Sequence, residues 1–300
     1  MGRSVGSGYP SASKHGEWCG ESHGASIDRY YDQTWLDYRF VWLAGRNLAF
    51  HFGHYDHTTR THAEALVNAN RVLAECAGIQ PGDRVLDAGC GVGGSALWLA
   101  RHRGARVVGL TRVAGQVRQA RSVAAARREV HPPVFLQGDF TAPPFGAATF
   151  DVVWALESLC HAVDKPAFYR EAARVLRPGG RLVLAEYMLT GQPKDEWGRQ
   201  MVSEWLEGWA MPNLATPGEH REYARAAGFA ASHFRDATPT VARSLRRLYL
   251  IAALTYPLAL TARGLRLRSA VQHANVIAAI RQYQALRQGH WVYGILCAVR

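Results

Sequence analysis

Glu157 and His161 stand four residues apart in ALESLCHA (155–162), directly after the apolar run FDVVW. On a helix that spacing puts a carboxylate and an imidazole on one face. The pair then offers a general base and a partner that orients it. FDVVWAL reads as a strand buried on both faces, and ligands of open α/β sheets bind where such strands end. Two structural readings stand beside the catalytic one. Glu157 also fits an ion pair with a nearby arginine, and His161 fits a hydrogen-bonded core histidine.

A second stretch with chemical potential is LDAGCGVGG (86–94). Gly89, Gly91 and Gly93 let the backbone approach a ligand closely, and the helix that follows offers free N–H groups. Gly89, Gly91 and Gly94 also satisfy G-x-G-x-x-G, so the turn alone fits a nicotinamide dinucleotide as well as a methyl donor. Dinucleotide sites place an acidic residue at the end of the second strand for the ribose hydroxyls. Here Leu110, Thr111 and Arg112 occupy that place. Thr111 and Gln116 are the polar candidates, although Gln116 also reads as a solvated helix residue.

The elements needed to position these residues follow from the pattern. RVLDAG, RVVGLT, VFLQGD, FDVVWAL and RLVLAEYM read as strands, most of them separated by helical stretches such as GSALWLARHR, residues 113–128 and KPAFYREAARVL. That alternation makes a doubly wound, mainly parallel α/β sheet. FAASHFRD and WVYGILCAV are candidates for a sixth and a seventh strand. Residues 1–26 are expected to be disordered and residues 27–77 to form a helical, aromatic cap that includes LAFHFGHYD. The core then runs over 78–300, with helical insertions at about 191–228 and 239–290. In the first insertion Trp197, Trp205 and Trp209 are spaced for one face.

Composition narrows the classes. The 300 residues are 48% hydrophobic, enough for a full core, and carry a formal charge of +11. After residue 240 there are nine arginines and no acidic residue. Such a tail suits an anionic substrate or a membrane surface better than nucleic acid, because its arginines flank an apolar body and no nucleic-acid motif accompanies them. LYLIAALTYPLALTA (248–262) is too short to span a bilayer and contains Pro257, so it reads as a packed or interfacial helix. The five cysteines follow no disulfide or metal spacing, and no apolar leader opens the sequence, so a reduced cytoplasm is expected. His51, His54, His57 and His62 come without an acidic cluster, and no metal is expected there.

VLDAGCGVGG, GDF (138–140) and VLRPGGRLVLAE together resemble the class I S-adenosylmethionine-dependent methyltransferases, over residues 80–190. The resemblance implies a Rossmann-like sheet of seven strands with the last antiparallel, and S-adenosylmethionine as cofactor. It implies that Asp87 and the backbone at Gly89 and Gly91 hold the methionine end of the donor, and that Asp139 and Phe140 hold its adenine. GLTRVAGQVRQA, with a hydroxyl residue followed by Gln116, resembles the tocopherol and natural-product methyltransferases. ALESLCHA is similar to the Glu-containing motif of the sterol C-methyltransferases. HFGHYD resembles the tocopherol enzymes, and YYDQTWLDYRFVW resembles the tyrosine-rich N-terminal helix of both groups.

Methylating an alkene carbon leaves a carbocation, which calls for an aromatic pocket and a base to remove a proton. Glu157, with His161 as its partner, would be that base or would stabilise the cation, and Tyr30, Tyr31, His51 and Trp205 would line the pocket, although aromatics at such spacing also build ordinary cores. Arg246 and Arg247 would meet an anionic head such as a diphosphate, or a membrane surface. The expected activity is C-methylation of an isoprenoid or similar lipophilic small molecule. O- or N-methylation of a polar natural product and a non-catalytic lipid-binding fold are the rival expectations. The sequence sets no oligomeric state.

Overall fold

The computed structural model describes residues 23–41, 47–127 and 131–300. Seven strands form one sheet in the order β3-β2-β1-β4-β5-β7-β6. They are β1 (Arg84–Ala88), β2 (Arg106–Thr111), β3 (Val134–Gln137), β4 (Phe150–Leu156), β5 (Leu176–Leu189), β6 (Ala231–Asp236) and β7 (Trp291–Val299). β1 to β5 pair in parallel, and β7 runs antiparallel to both β5 and β6. The strand order reverses between β1 and β4, which opens a crevice at their carboxyl ends. All the chemistry-bearing turns of the parallel half face that edge.

Helices cover both faces, which is why the central strands read as continuous apolar runs rather than alternating ones. Successive residues of β4 divide between the two layers. Val152 and Trp154 pack with α2 (His62–Cys76), α3 (Gly94–Arg103) and α4 (Ala114–Arg127), while Val153 and Ala155 pack with α5 (Lys165–Val175). α6 (Glu196–Gly208) and α7 (Pro217–Ala226) follow β5. α8 (Thr238–Gly264) and α9 (Ala270–Arg287) stand between β6 and β7, and α1 (His23–Val41) packs against α9. Among the described residues no helix is long and apolar enough to cross a membrane.

Several expectations are corrected. Residues 1–22 lie outside the described residues, but His23–Ser26, expected to be disordered, are helical and begin α1. His23 Nε2 lies 3.0 Å from the His161 carbonyl oxygen, a contact that anchors this end. LAFHFGHYD is not helical, because its backbone donors are used elsewhere. Phe52 N–H donates to Glu157 Oε1 and Gly53 N–H to Ser244 Oγ, at 2.7 and 3.0 Å. Trp205 and Trp209 are buried, whereas Trp197 is 44% exposed beneath the Arg281 guanidinium, so the three do not share one face. Residues 248–262 are helical as expected, within a helix that runs through Pro257 to Gly264. Cys76 at the end of α2 and Cys297 in β7 form a disulfide across 221 residues, with Cα atoms 6.5 Å apart. The cysteine spacings therefore give no sign of a reduced compartment, because this pair is joined across the fold and not within a local stretch of sequence.

Candidate active site at the carboxyl edge of the sheet

The crevice holds a cavity of about 240 Å³. One half is built by strand ends and the glycine turn: Asp87 near the end of β1 with Gly89 and Gly91 after it, Thr111 at the end of β2, Asp139 and Phe140 after β3. Gly89 has φ +90°, and a Cβ there would stand 2.2 Å from the Ser158 Cβ, so only glycine lets the β1 and β4 turns touch. Ser158 Oγ in turn donates to the Ala88 carbonyl at 2.6 Å. Asp87 is 2% exposed; the Ala96 N–H donates to it, and its Oδ2 has no partner. Burial pushes its carboxyl up to about 7. Thr111 Oγ1 donates to Gln116 Oε1 at 2.7 Å, and both side chains line the cavity. Asp139 Oδ1 accepts from the Thr141 N–H and hydroxyl, and its Oδ2 lies 3.3 Å from Arg112 Nη1.

The other half is organised by Glu157. ALESLCHA forms no helical face here. Glu157 has φ +50°, a left-handed conformation that β-carbon sterics disfavour, and only Leu159–His161 make a single 3₁₀ turn. Tertiary bonds hold the strained residue. Its N–H donates to the Ala185 carbonyl at 2.9 Å, and buried Glu186 accepts from the Cys160 N–H at 2.8 Å. Its carboxyl accepts from three donors: Phe52 N–H and Tyr293 OH on Oε1, each at 2.7 Å, and Tyr187 OH on Oε2. Burial still outweighs these donors and pushes the carboxyl up to about 8. Among the described residues no arginine or lysine pairs with it.

His161 does not bond to Glu157. Its Nδ1 faces the Ala210 carbonyl at 3.2 Å, which makes Nδ1 the protonated nitrogen and leaves Nε2 to accept from Tyr31 OH at 3.0 Å. Burial drops its basicity to about 4, so the ring is neutral. His51, also held neutral by burial at about 4, points Nδ1 to the Phe52 carbonyl at 3.1 Å. This half of the cavity therefore presents the buried Glu157 carboxyl among the neutral rings of Tyr31, Phe50, His51 and His161, while the second buried carboxyl of the lining, Asp87, belongs to the glycine-turn half.

A model described as "Methyltransferase domain" matches residues 86–184. Over 195 residues the chain is 36% identical to 27-O-demethylrifamycin SV methyltransferase of Amycolatopsis mediterranei, covering 65% of this chain and 70% of that protein. It is 31% identical to 2-methyl-6-phytyl-1,4-hydroquinone methyltransferase of Synechocystis, covering 72% and 69%. The chain belongs to the class I S-adenosylmethionine-dependent methyltransferases. It also matches sterol 24-C-methyltransferase of Eremothecium gossypii at 37% identity, over 55% of this chain but only 43% of that longer relative. Among solved structures the [4+2]-cyclase SpnF superposes with a TM-score of 0.74 at 25% identity, over 91% of this chain and 94% of that one.

Four residues of this methyltransferase expected at the acceptor do not line the cavity. Tyr30 is buried behind it, with its hydroxyl on Tyr38 OH (2.8 Å) and Asn275 Oδ1 (2.9 Å). Trp205 is fully buried one layer back and packs edge-on against Tyr187 at 5.7 Å. Arg246 and Arg247 sit on α8 away from the cavity, Arg246 exposed and Arg247 near Tyr55 and His62. Two residues that sequence reasoning missed are Tyr187 and Tyr293. They are direct cross-strand partners in the antiparallel β5–β7 pair, so both hydroxyls reach one carboxyl. Their sequence separation hides that pairing until the register is known.

Proposed function

We propose that this methyltransferase transfers the methyl group of S-adenosylmethionine to a carbon atom of a neutral, lipophilic, isoprenoid-like acceptor. The observation that carries the proposal is Glu157: a carboxyl buried among aromatic rings, with no ion-pair partner among the described residues and a pKa pushed up to about 8. The donor side fits the cofactor. Asp87 Oδ2 is a buried acceptor without a partner, suited to the ammonium of the donor's methionine end. The backbone at Gly89 and Gly91 can approach it closely, Thr111 and Gln116 would meet the ribose, and Asp139 and Phe140 the adenine. When bound, the donor supplies an electrophilic methyl group on a sulfonium.

The chain's own part is positioning, exclusion of water and removal of a proton. As the acceptor's double bond forms the new carbon–carbon bond, positive charge appears on the neighbouring carbon. The faces of Tyr31 and Phe50 stabilise that charge. Glu157, held by Tyr187, Tyr293 and Phe52 N–H, takes a proton from the adjacent carbon and restores the double bond. His161 holds Tyr31 in place rather than assisting the carboxyl. Arg246 and Arg247 do not line the cavity, and Arg112, which does, lies 3.3 Å from the Asp139 carboxylate, so a neutral acceptor is favoured.

The match to an O-methyltransferase by name keeps one rival reading in view, in which Glu157 deprotonates a hydroxyl. The test is single-turnover methyl transfer to prenyl, sterol-like and phenolic acceptors by the parent and by Glu157→Gln. Transfer to the lipophilic acceptors should fall about 10²–10⁴-fold in the variant while S-adenosylhomocysteine still binds. Parental turnover by Glu157→Gln would remove the carboxyl from the chemistry.

A further inference from the structure

A second cavity, of about 510 Å³, lies between α1, α8 and α9. That volume falls within the usual range for small-molecule sites. Its walls are chiefly apolar, with Trp209, Leu248, Ile251, Ala252 and Val276 among them. The two charged side chains in the wall, Asp37 and Arg268, form an ion pair with each other, although Arg268 Nε is buried without a partner. Arg268 Nη2 donates to Asp37 Oδ2 at 2.7 Å, Asn275 Nδ2 donates to the same oxygen at 3.3 Å, and Tyr30 OH donates to Asn275 Oδ1 at 2.9 Å. Thr255 Oγ1 donates to the Ile251 carbonyl at 2.7 Å. A site whose charges are already neutralised suits a neutral apolar occupant over an anionic one.

Two further observations give the chamber an entrance and an exit. Leu258 and Leu267 line it and are nonetheless 72% and 76% exposed. Large apolar side chains clustered in water at a cavity's rim mark a binding surface. At the inner end Tyr38 lines the chamber, and its ring lies 5.9 Å from that of Tyr31, which lines the donor cavity. One pair of aromatic rings thus separates the chamber from the cavity that holds Glu157.

We propose that this chamber holds the hydrocarbon chain of a neutral lipid, admitted between Leu258 and Leu267, with its reactive end directed past Tyr38 and Tyr31 toward Glu157. As the tail site of the acceptor, the assignment rests on the C-methylation reading above. As a hydrocarbon site it is tested without catalysis. The probe is diphenylhexatriene, a neutral rod that fluoresces in apolar surroundings, and Trp209 in the wall sensitises its emission. The parent should bind it saturably without displacement by S-adenosylhomocysteine. Ala262→Phe, at the half-exposed rim, and Ala279→Phe, in the buried wall, should weaken probe binding at least about tenfold and leave S-adenosylhomocysteine affinity unchanged. Should Ala279→Phe not fold, Ala262→Phe decides alone. Leu254→Ser with Leu265→Ser, at exposed positions that do not line the chamber, should bind the probe as the parent does.

Parental probe affinity in the filled variants, displacement by S-adenosylhomocysteine, or loss confined to the Leu254/Leu265 variant would each overturn the chamber. Probe binding that responds as expected, in a protein that transfers methyl only to oxygen or nitrogen, would keep the chamber and sink the C-methylation reading instead.

Discussion

Tyr187→Phe gives the sharpest test of how Glu157 is set. The tyrosine hydroxyl is one of three donors to the carboxyl, and the ring is buried against Trp205 and Trp291, so phenylalanine keeps the packing and deletes only the donor. A hydrogen bond to an ionised group contributes about 1.5–3 kcal/mol. Each ~1.4 kcal/mol is a factor of ten in the ionisation constant, so the carboxylate should lose about 10- to 100-fold in acidity. The donor favours the charged form; without it the proton is held more tightly. The active base is the ionised form. The parental kcat/KM should therefore rise with pH through about 8, and the variant's rise should lie at higher pH. At pH 7 the variant should be slower by that same 10- to 100-fold, and it should recover toward the parental plateau in alkali. The assay is kcat/KM for the donor against pH, which reports the free enzyme, with melting temperatures on the same samples. A variant profile that coincides with the parent's, or one lowered equally at every pH, would refute the reasoning.

Tyr293→Phe should shift the profile in the same direction, and the double variant further, read in the same assay. Asp87→Asn should bind S-adenosylhomocysteine about 10- to 100-fold more weakly by calorimetry. Burial holds Asp87 near 7, so parental binding below that pH should release a proton as the ligand's ammonium fixes the anion, and the variant should release none. Because the folded Glu157 carboxyl titrates near 8 and an unfolded one near its ordinary value, its stabilising contribution is full in acid and is lost as pH rises through 8. Glu157→Gln should therefore gain stability relative to the parent between about pH 4.5 and 8, measured as urea midpoints. Reduction of the Cys76–Cys297 bond should cost about 2–4 kcal/mol and lower the melting temperature, with no effect of reductant on the Cys76→Ser/Cys297→Ser variant.

The parts of the site that sequence reveals are those made within one strand and the turn after it. LDAGCGVGG, GDF and FDVVWALE each carry their residues straight from a parallel strand to the same sheet edge, and the run of strands alone puts Asp87, Asp139 and Glu157 there. What escaped depends on distant backbone. Residues 48–56 have enough apolar and aromatic content to read as helix, yet their N–H groups serve Glu157 and Ser244, more than a hundred residues away. The four-residue spacing of Glu157 and His161 suggested a helical face that the positive φ of Glu157 forbids. Tyr187 and Tyr293 depend on the β5–β7 register, as the disulfide depends on where α2 ends over β7. Arg246 and Arg247 lie on an amphipathic helix whose orientation the sequence leaves open, and packing turns them away from both cavities.

The most direct measurement is the atom that receives the methyl group. The enzyme is given S-adenosylmethionine carrying a ¹³C-methyl group together with a prenyl, sterol-like or phytyl-hydroquinone acceptor, and the isolated product is read by ¹³C nuclear magnetic resonance. The account predicts a labelled methyl bonded to carbon, formed by the parent and lost in Glu157→Gln under saturating donor. A labelled methyl on oxygen or nitrogen, or a carbon-methylated product formed equally well by Glu157→Gln, would contradict it.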